Sequence, residues 1–370
     1  MRDGNVVIDA VGHVYDFAED NWKPQVPRED MQSVLDWLYK WGHEELESNA
    51  PGYRLTLEEF LGGWSTEELL RLFFVESDID MIAMHAVDFY GGFVRGSNPW
   101  DQCVAVKRAA PHRTLLYGSV DPLAGRPQEF ERMAQQAEEG ADGFKFYPVS
   151  GYMDFRQRPM SYRFDDEAVF PFFEHARSLG VKHIAVHKAI PVRPGSNAQD
   201  RPDDVTWAAA AFPDMTFEVV HSGWAFLDDC ALQLSINPNI YANLECTANT
   251  VVRMPRRFAR AVGTLLREAP DRVVFGTGAP LGHPQPIIEA IEAFEMPQDL
   301  LEEGMPAFTD KVKADLLGAN FARMHGLDAD AIKREVADDE FARQRRDYLQ
   351  SPDPWQPKKE RVAAGVSVPR

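Results

Sequence analysis

The stretch Arg272–His283, RVVFGTGAPLGH, reads as a buried strand running into a loop, and it is the last of eight such runs in the chain. The others are Val6–Ile8, Ile79–Met84, Thr114–Tyr117, Gly143–Tyr147, Val181–His187, Thr216–His221 and Ile240–Leu244. Between them lie amphipathic runs with helical spacing, among them PQEFERMAQQAEEG, DDEAVFPFFEHARSLG and PRRFARAVGTLLREAP, and KVKADLLGANFARMHG follows the last strand. Parallel neighbours need helical crossovers, so this alternation predicts an α/β fold, a (β/α)8 TIM barrel. A doubly wound sheet is the alternative, but it would place a glycine-rich phosphate loop after its first strand, and DAVGHVYD is not one.

Two segments fall outside the repeat. Residues 17–76 form a helical insertion after the first strand, rich in acidic residues and in tryptophan (Trp22, Trp37, Trp41, Trp64). In a barrel it would lie at the catalytic end as a lid or a dimer surface, or simply add core as a cap. The barrel would span residues 1–327. The tail, residues 328–370, begins as a charged helix and ends in SPDPWQPKKERVAAGVSVPR, whose proline and charge content predicts an extended arm, disordered or wrapped over a neighbouring subunit. Insertion and arm together predict a homo-oligomer.

The 370 residues are 44% hydrophobic and 26% charged, an ordinary globular composition. A net charge of −19 repels nucleic acid and anionic membrane, leaving a small molecule as the expected partner. Cys103, Cys230 and Cys246 lie far apart with no C-x-x-C spacing, which suits a reducing compartment and excludes a disulfide framework. The N-terminal MRDGNVVIDAVGH lacks a long apolar region, and no window offers a membrane span, so a cytoplasmic location is expected.

In a barrel the chemistry sits where strands end. The polar residues there are Asp9, His13 and Asp16 on strand 1, and His85 and Asp88 on strand 2. Lys145 and Tyr147 end strand 4, His187 and Lys188 strand 5, and His221 strand 6. Strand 7 gives Asn243 and Glu245, and strand 8 gives Thr277 and then His283. One strand-end histidine is ordinarily structural. Histidines ending strands 1, 5 and 6 converge on one axis, as the imidazoles of Zn, Mn or Fe sites do. Lys145 suits a substrate carboxylate. Phe89, Tyr90, Phe93, Tyr147, Tyr152, Trp224 and Phe226 in the following loops suit a ring-bearing substrate, although each alone could be packing.

DAVGH, GFKFYP, VHKA, FEVVHSGW, YANLE and VVFGTGAP, in that order, together with the closing DLLGANFARMHGL, resemble the amidohydrolase superfamily. Within it they are similar to the branch that contains aminocarboxymuconate semialdehyde decarboxylase and the resorcylate decarboxylases. The resemblance runs from about Val6 to Leu327. It implies a (β/α)8 barrel with a divalent metal at the strand C-termini. The family's ligands are an H-x-H or E-x-H pair on strand 1, a histidine on strand 5 and an aspartate on strand 8. A strand-6 histidine binds a second metal or the substrate. Carried over, these are His13, His187 and His221.

Two positions depart from that pattern. Val11 stands where the first strand-1 ligand belongs and Gly278 where the aspartate belongs, and neither can bind a metal or accept a proton. Three repairs are conceivable: a new metal sphere of His13, His187 and Glu245, with Asp16 or His283 nearby; metal-free acid–base work by the histidines; or a barrel that only binds a ligand. The first predicts a metal-dependent hydrolase acting on a small organic, ring-bearing substrate, with non-oxidative decarboxylation as the alternative. Its catalytic residues would be His221, Lys145 and His187, with Tyr147, Trp224, His283 and His85 on the substrate.

Overall fold

Strands buried on both faces must be apolar nearly throughout, and these are. The structure, a computed structural model, describes residues 5–46, 51–89, 91–148, 161–190 and 198–368. Its strands are β1 (Ile8–Gly12), β2 (Met81–His85), β3 (Thr114–Val120), β4 (Gly143–Phe146), β5 (His183–His187), β6 (Thr216–Val220), β7 (Ile240–Asn243) and β8 (Val273–Val274). All pair in parallel with their sequence neighbours, in the order β1 to β8. Backbone bonds from Ala10 N to Phe275 O (2.9 Å) and from His13 N to Ala279 O (2.8 Å) join the last strand to the first. Each of the eight sequence runs became a strand.

The crossovers are helical: α4 (Trp100–Ala109), α5 (Arg126–Glu138), α6 (Phe170–Ser178), α7 (Val205–Ala211), α8 (Leu227–Ile236), and the pair α9 (Thr250–Arg253) and α10 (Pro255–Glu268). Beyond β8 come α11 (Pro284–Ala293), α12 (Gln298–Glu302), α13 (Asp310–Ala314) and α14 (Asn320–Met324). Among the described residues no helix is long and apolar enough to cross a membrane.

The insertion contributes α1 (Arg28–Leu38), α2 (Leu57–Leu61) and α3 (Thr66–Phe74). Thr56 and Ser65 close full capping boxes with Glu59 and Glu68, which fixes where α2 and α3 begin. After α1 the chain makes a π-helical turn, Tyr39–Glu45, pinned by His43. That imidazole donates from Nδ1 to Leu281 O (2.9 Å) and accepts at Nε2 from Leu55 N (2.8 Å).

The tail departs from expectation. It forms α15 (Ala329–Val336), α16 (Glu340–Tyr348) and α17 (Gln356–Ala363), folded back on its own chain. Trp355 is 2% exposed, wedged against Trp64 and His283, and its indole donates to Tyr53 O (3.0 Å). Arg361 binds Glu68, and Lys358 lies buried over the Trp64 ring. Proline and charge suggested an extended arm, but one tryptophan and three basic side chains with partners in the insertion and barrel (Arg345 with Asp78 is the third) hold it as helices.

Candidate active site

Val11 and Gly278 are neighbours: Gly278 N donates to Val11 O (2.9 Å) across the seam between β1 and β8. Gly278 takes φ +70°, a left-handed conformation that side chains disfavour. A Cβ placed there would lie 2.5 Å from Glu245 Oε1 and 3.2 Å from its Cγ. So the carboxylate at the end of β7 fills the space that a strand-8 side chain would take. Asp9 and Thr277 instead staple the two strands: Thr277 donates from N (3.0 Å) and from Oγ1 (2.5 Å) to the Asp9 carboxylate.

Glu245 is met by two imidazoles, His13 Nε2 at 3.6 Å from Oε1 and His221 Nδ1 at 3.1 Å from Oε2. The ring protons follow from the other contacts. His187 Nε2 faces Ile190 O at 2.6 Å, and a carbonyl only accepts, so that nitrogen carries the proton. His187 Nδ1 must then accept from His221 Nε2, 2.9 Å away. In neutral His221 this leaves a lone pair on Nδ1, pointing at the carboxylate. His13 donates from Nδ1 to His85 O (3.1 Å), so its Nε2 lone pair also faces Glu245. His221 Nδ1 and Glu245 Oε2 are buried, and neither completes a hydrogen bond.

Burial pushes His221 down to about 4 despite Glu245, and holds His187 well below the ordinary histidine range, with His221 and Lys145 adding to the effect. Both are therefore neutral at pH 7. Burial also works against the Glu245 charge, and what holds the carboxyl below its usual range is positive charge beside it, on Lys145 and on an imidazole that keeps its proton. With both imidazoles neutral, two lone pairs meet the carboxylate and a cation is needed between them. His221 and Glu245 belong to a group of donors spaced closely enough to hold a divalent ion, while His13 lies outside that group at the other carboxylate oxygen. The arrangement differs from the expected sphere in one member: His187 has both nitrogens engaged, and His221 faces the carboxylate in its place.

Above this floor is a cavity of about 140 Å³. Its polar lining includes His13, Lys145, His187, His221, Glu245 and Cys246, and its walls are aromatic and aliphatic. Tyr147 stacks on His187 at 3.9 Å and meets Phe89 edge-on at 4.6 Å, so both lie where the sequence suggested. The insertion roofs the space with Met31, Leu35, Trp37, Leu38 and Trp41. Lys145 is 3% exposed, forms no hydrogen bond among the described residues, and is the one lysine or arginine among the described lining residues. Burial brings its ammonium down to about 8, against the pull of Glu245 and Glu218.

Other expected residues lie elsewhere. His85 is sealed inside the barrel, stacked on Tyr117 at 4.2 Å. His283 caps α11 by accepting from Gln285 N and faces Glu76, Tyr53 and Trp355. Trp224 stands one layer behind the wall, edge-on to Trp41 at 5.1 Å and under the Arg257 guanidinium. Phe226 lies under Arg201. Asp88 is held by Arg132 and Ser119, and Lys188 by Asp204. Tyr90 and Tyr152 lie outside the described residues. The sequence reading missed Cys246 and Tyr15 as lining residues. The first was visible beside Glu245 in NLEC, whereas Tyr15, tilted against His13 at 4.9 Å, carried no signal.

A family model described as amidohydrolase (Amidohydro_2) matches residues 73–327. No curated protein matches the chain. Among solved structures, an uncharacterised TIM-barrel protein from Bordetella bronchiseptica is 17% identical with a TM-score of 0.58, covering 86% of this chain and 99% of its own. A 5-carboxyvanillate decarboxylase from Novosphingobium aromaticivorans, complexed with manganese and 4-hydroxy-3-methoxy-5-nitrobenzoic acid, is 13% identical with a TM-score of 0.53, over 88% of this chain and 97% of its own. A 2,6-dihydroxybenzoate decarboxylase in complex with 2,6-dihydroxybenzoate is also 13% identical, TM-score 0.51, over 88% and 99%. At such identities the structures share the fold, while the family model spans more than half of the sequence: the chain belongs to the amidohydrolase family of Amidohydro_2 type.

Proposed function

We propose that the protein decarboxylates a small single-ring or unsaturated organic acid without net oxidation, with the help of a divalent cation held at His221 Nδ1 and Glu245, beside His13. One observation carries the choice: the only fixed cation among the described lining residues, Lys145, has no hydrogen-bond partner among the described residues and lines an aromatic enclosure. An unpaired buried ammonium favours an anionic group beside it. The size agrees, because an apolar cavity of about 150 Å³ holds one benzene, and this one is about 140 Å³. Hydrolysis would need a group that takes a proton from water near neutral pH. Lys145, brought down to about 8, is mostly protonated at pH 7 and so suits giving a proton better than taking one.

A bound cation supplies Lewis acidity toward a substrate oxygen and stabilises negative charge there. The chain's residues do the rest. Lys145 pairs with the substrate carboxylate, and Phe89, Tyr147 and Trp41 hold the ring and exclude water, which strengthens that pairing. The bond from ring carbon to carboxyl carbon breaks, its electron pair stays on the ring carbon, and CO2 leaves. Lys145 Nζ then gives a proton to the vacated carbon and regains one from solvent. His187 fixes the His221 tautomer and so keeps the Nδ1 lone pair on the floor.

The test is a panel of monocyclic and unsaturated carboxylic acids incubated in D2O with the metal-replete protein. The proposal expects CO2 and deuterium at the vacated carbon. Product carrying solvent oxygen, with no CO2, would show a hydrolase instead.

A further inference from the structure

We infer that Cys246 is a donor to the cation beside His221 and Glu245, which makes the site a mixed nitrogen, oxygen and sulfur set and selects a borderline-soft ion such as Zn2+ over Mn2+ or Mg2+. The inference rests on the cation part of the function proposed above and not on the reaction. Donor atoms of His221, Glu245 and Cys246 all lie within 4.8 Å of one another and all three residues are buried. Cys246 Sγ is 3.8 Å from Glu245 Oε1, and the residue lines the cavity. Independently, His221 Nδ1 and Glu245 Oε2 are buried polar atoms with no hydrogen bond, aimed into the same space.

The backbone supports the same reading. His221 at φ +66° and Cys246 at φ +60° both adopt the left-handed conformation. Residues with a Cβ rarely adopt it, and such positions persist where the surroundings over-determine them. Here the two bends present an imidazole nitrogen and a thiol sulfur to one carboxylate. The other cysteines have no such setting: Cys103 is on the buried face of α4, and Cys230 contacts Ser222. Thiolate is a soft ligand that suits zinc, whereas all-oxygen or oxygen–nitrogen sets suit manganese and magnesium.

The binding step balances simply. The S–H bond of Cys246 breaks, its proton goes to solvent, and the sulfur lone pair forms a bond to the cation. The two anions, carboxylate and thiolate, then offset the charge of the divalent ion. Lys145 remains as the net charge facing the cavity, matched to a substrate monoanion.

The experiment loads the full-length protein with Co2+ and records its absorption for wild type, Cys246→Ser, Cys103→Ser and Cys230→Ser, with metal content by elemental mass spectrometry. Wild type and the two control variants should bind about one Co2+ per chain and show a thiolate-to-cobalt charge-transfer band. Cys246→Ser should lose the band and bind at least tenfold more weakly. Calorimetric titration with Zn2+ should release about one proton fewer in that variant. An unchanged spectrum in Cys246→Ser with full cobalt occupancy overturns the inference and leaves the cation reading intact. A folded wild type that binds no Co2+ or Zn2+ overturns both. Should Cys246→Ser not fold, X-ray absorption of the zinc-loaded wild type decides: a sulfur shell at about 2.3 Å supports the inference, and only nitrogen or oxygen neighbours at about 2.0–2.1 Å overturn it.

Discussion

Gly278→Ala tests whether the carboxylate has moved from strand 8 to strand 7. The added methyl meets two costs. The left-handed backbone at φ +70° costs a residue with a Cβ about 1–2 kcal/mol. The methyl also stands 2.5 Å from Glu245 Oε1, 3.2 Å from Cγ and 3.3 Å from Cδ, so the whole end of that side chain must shift. Overpacking of this kind costs about 1–3 kcal/mol, which gives a total of roughly 2–5 kcal/mol. In a Glu245→Ala background the collision is gone and only the backbone cost of about 1–2 kcal/mol remains. Urea unfolding of the four proteins, with a chelator present to exclude metal linkage, gives the coupling directly. We expect the two substitutions to couple by about 1–3 kcal/mol, and Gly278→Ala to lose metal affinity when the chelator is removed. If Gly278→Ala costs the same in both backgrounds, Glu245 does not occupy the vacated space, and the reasoning fails.

Lys145→Met should lower kcat by at least about a hundredfold, the scale of a lost general acid, while one metal per chain is retained; a rate near wild type would remove Lys145 from the chemistry. Lys188→Met leaves the Asp204 carboxylate, formerly 2.7 Å from Nζ and 0% exposed, without its counter-ion, and should cost about 3–5 kcal/mol by denaturant unfolding. Burial raises the carboxyls of Glu218 and Asp9 to about 7, so folding favours their protonated forms. That contribution is complete below about pH 4 and is lost by about pH 7, opposite in sign to the gain from buried neutral His221 as pH rises from about 4 to 6.5, so it is read as the difference between wild type and Glu218→Gln. Glu218→Gln should remove part of the slope, on the order of 3 kcal/mol, and a slope identical to wild type would contradict it. Trp355→Ala should cost about 3–5 kcal/mol and make the tail susceptible to proteolysis while β-barrel circular dichroism persists; an intact tail after limited digestion would argue against the packing described.

The barrel was legible because its signal is repeated. Each short apolar run is followed by a helical run, and no local ambiguity alters the alternation. The floor was half legible. His13, Lys145, His187 and His221 could be placed because strand ends converge in any such barrel, and Glu245 because it ends a strand. The exchange of roles between His187 and His221 depends on one carbonyl, Ile190 O, supplied by a loop whose path no periodicity encodes. His283 looked like a rim residue from its spacing after β8, but spacing cannot distinguish a side chain that faces the axis from one that caps the next helix. The tail was misread because proline and charge describe a solvated chain, whereas here Trp355 is buried and Arg345, Lys358 and Arg361 find partners in the insertion and barrel.

The roof and the end of the chain form one mechanical unit. Trp41 and the π-helical turn that carries it are fastened to the barrel rim through His43, which Trp355 abuts, while α17 grips the start of α3 through Arg361 and Glu68. A molecule leaving the cavity by displacing that roof must loosen this latch as well. If that release limits turnover, residues more than three hundred positions along from the first strand govern its pace, and clipping the last helix should be felt as leakiness at the mouth before the barrel loses its shape.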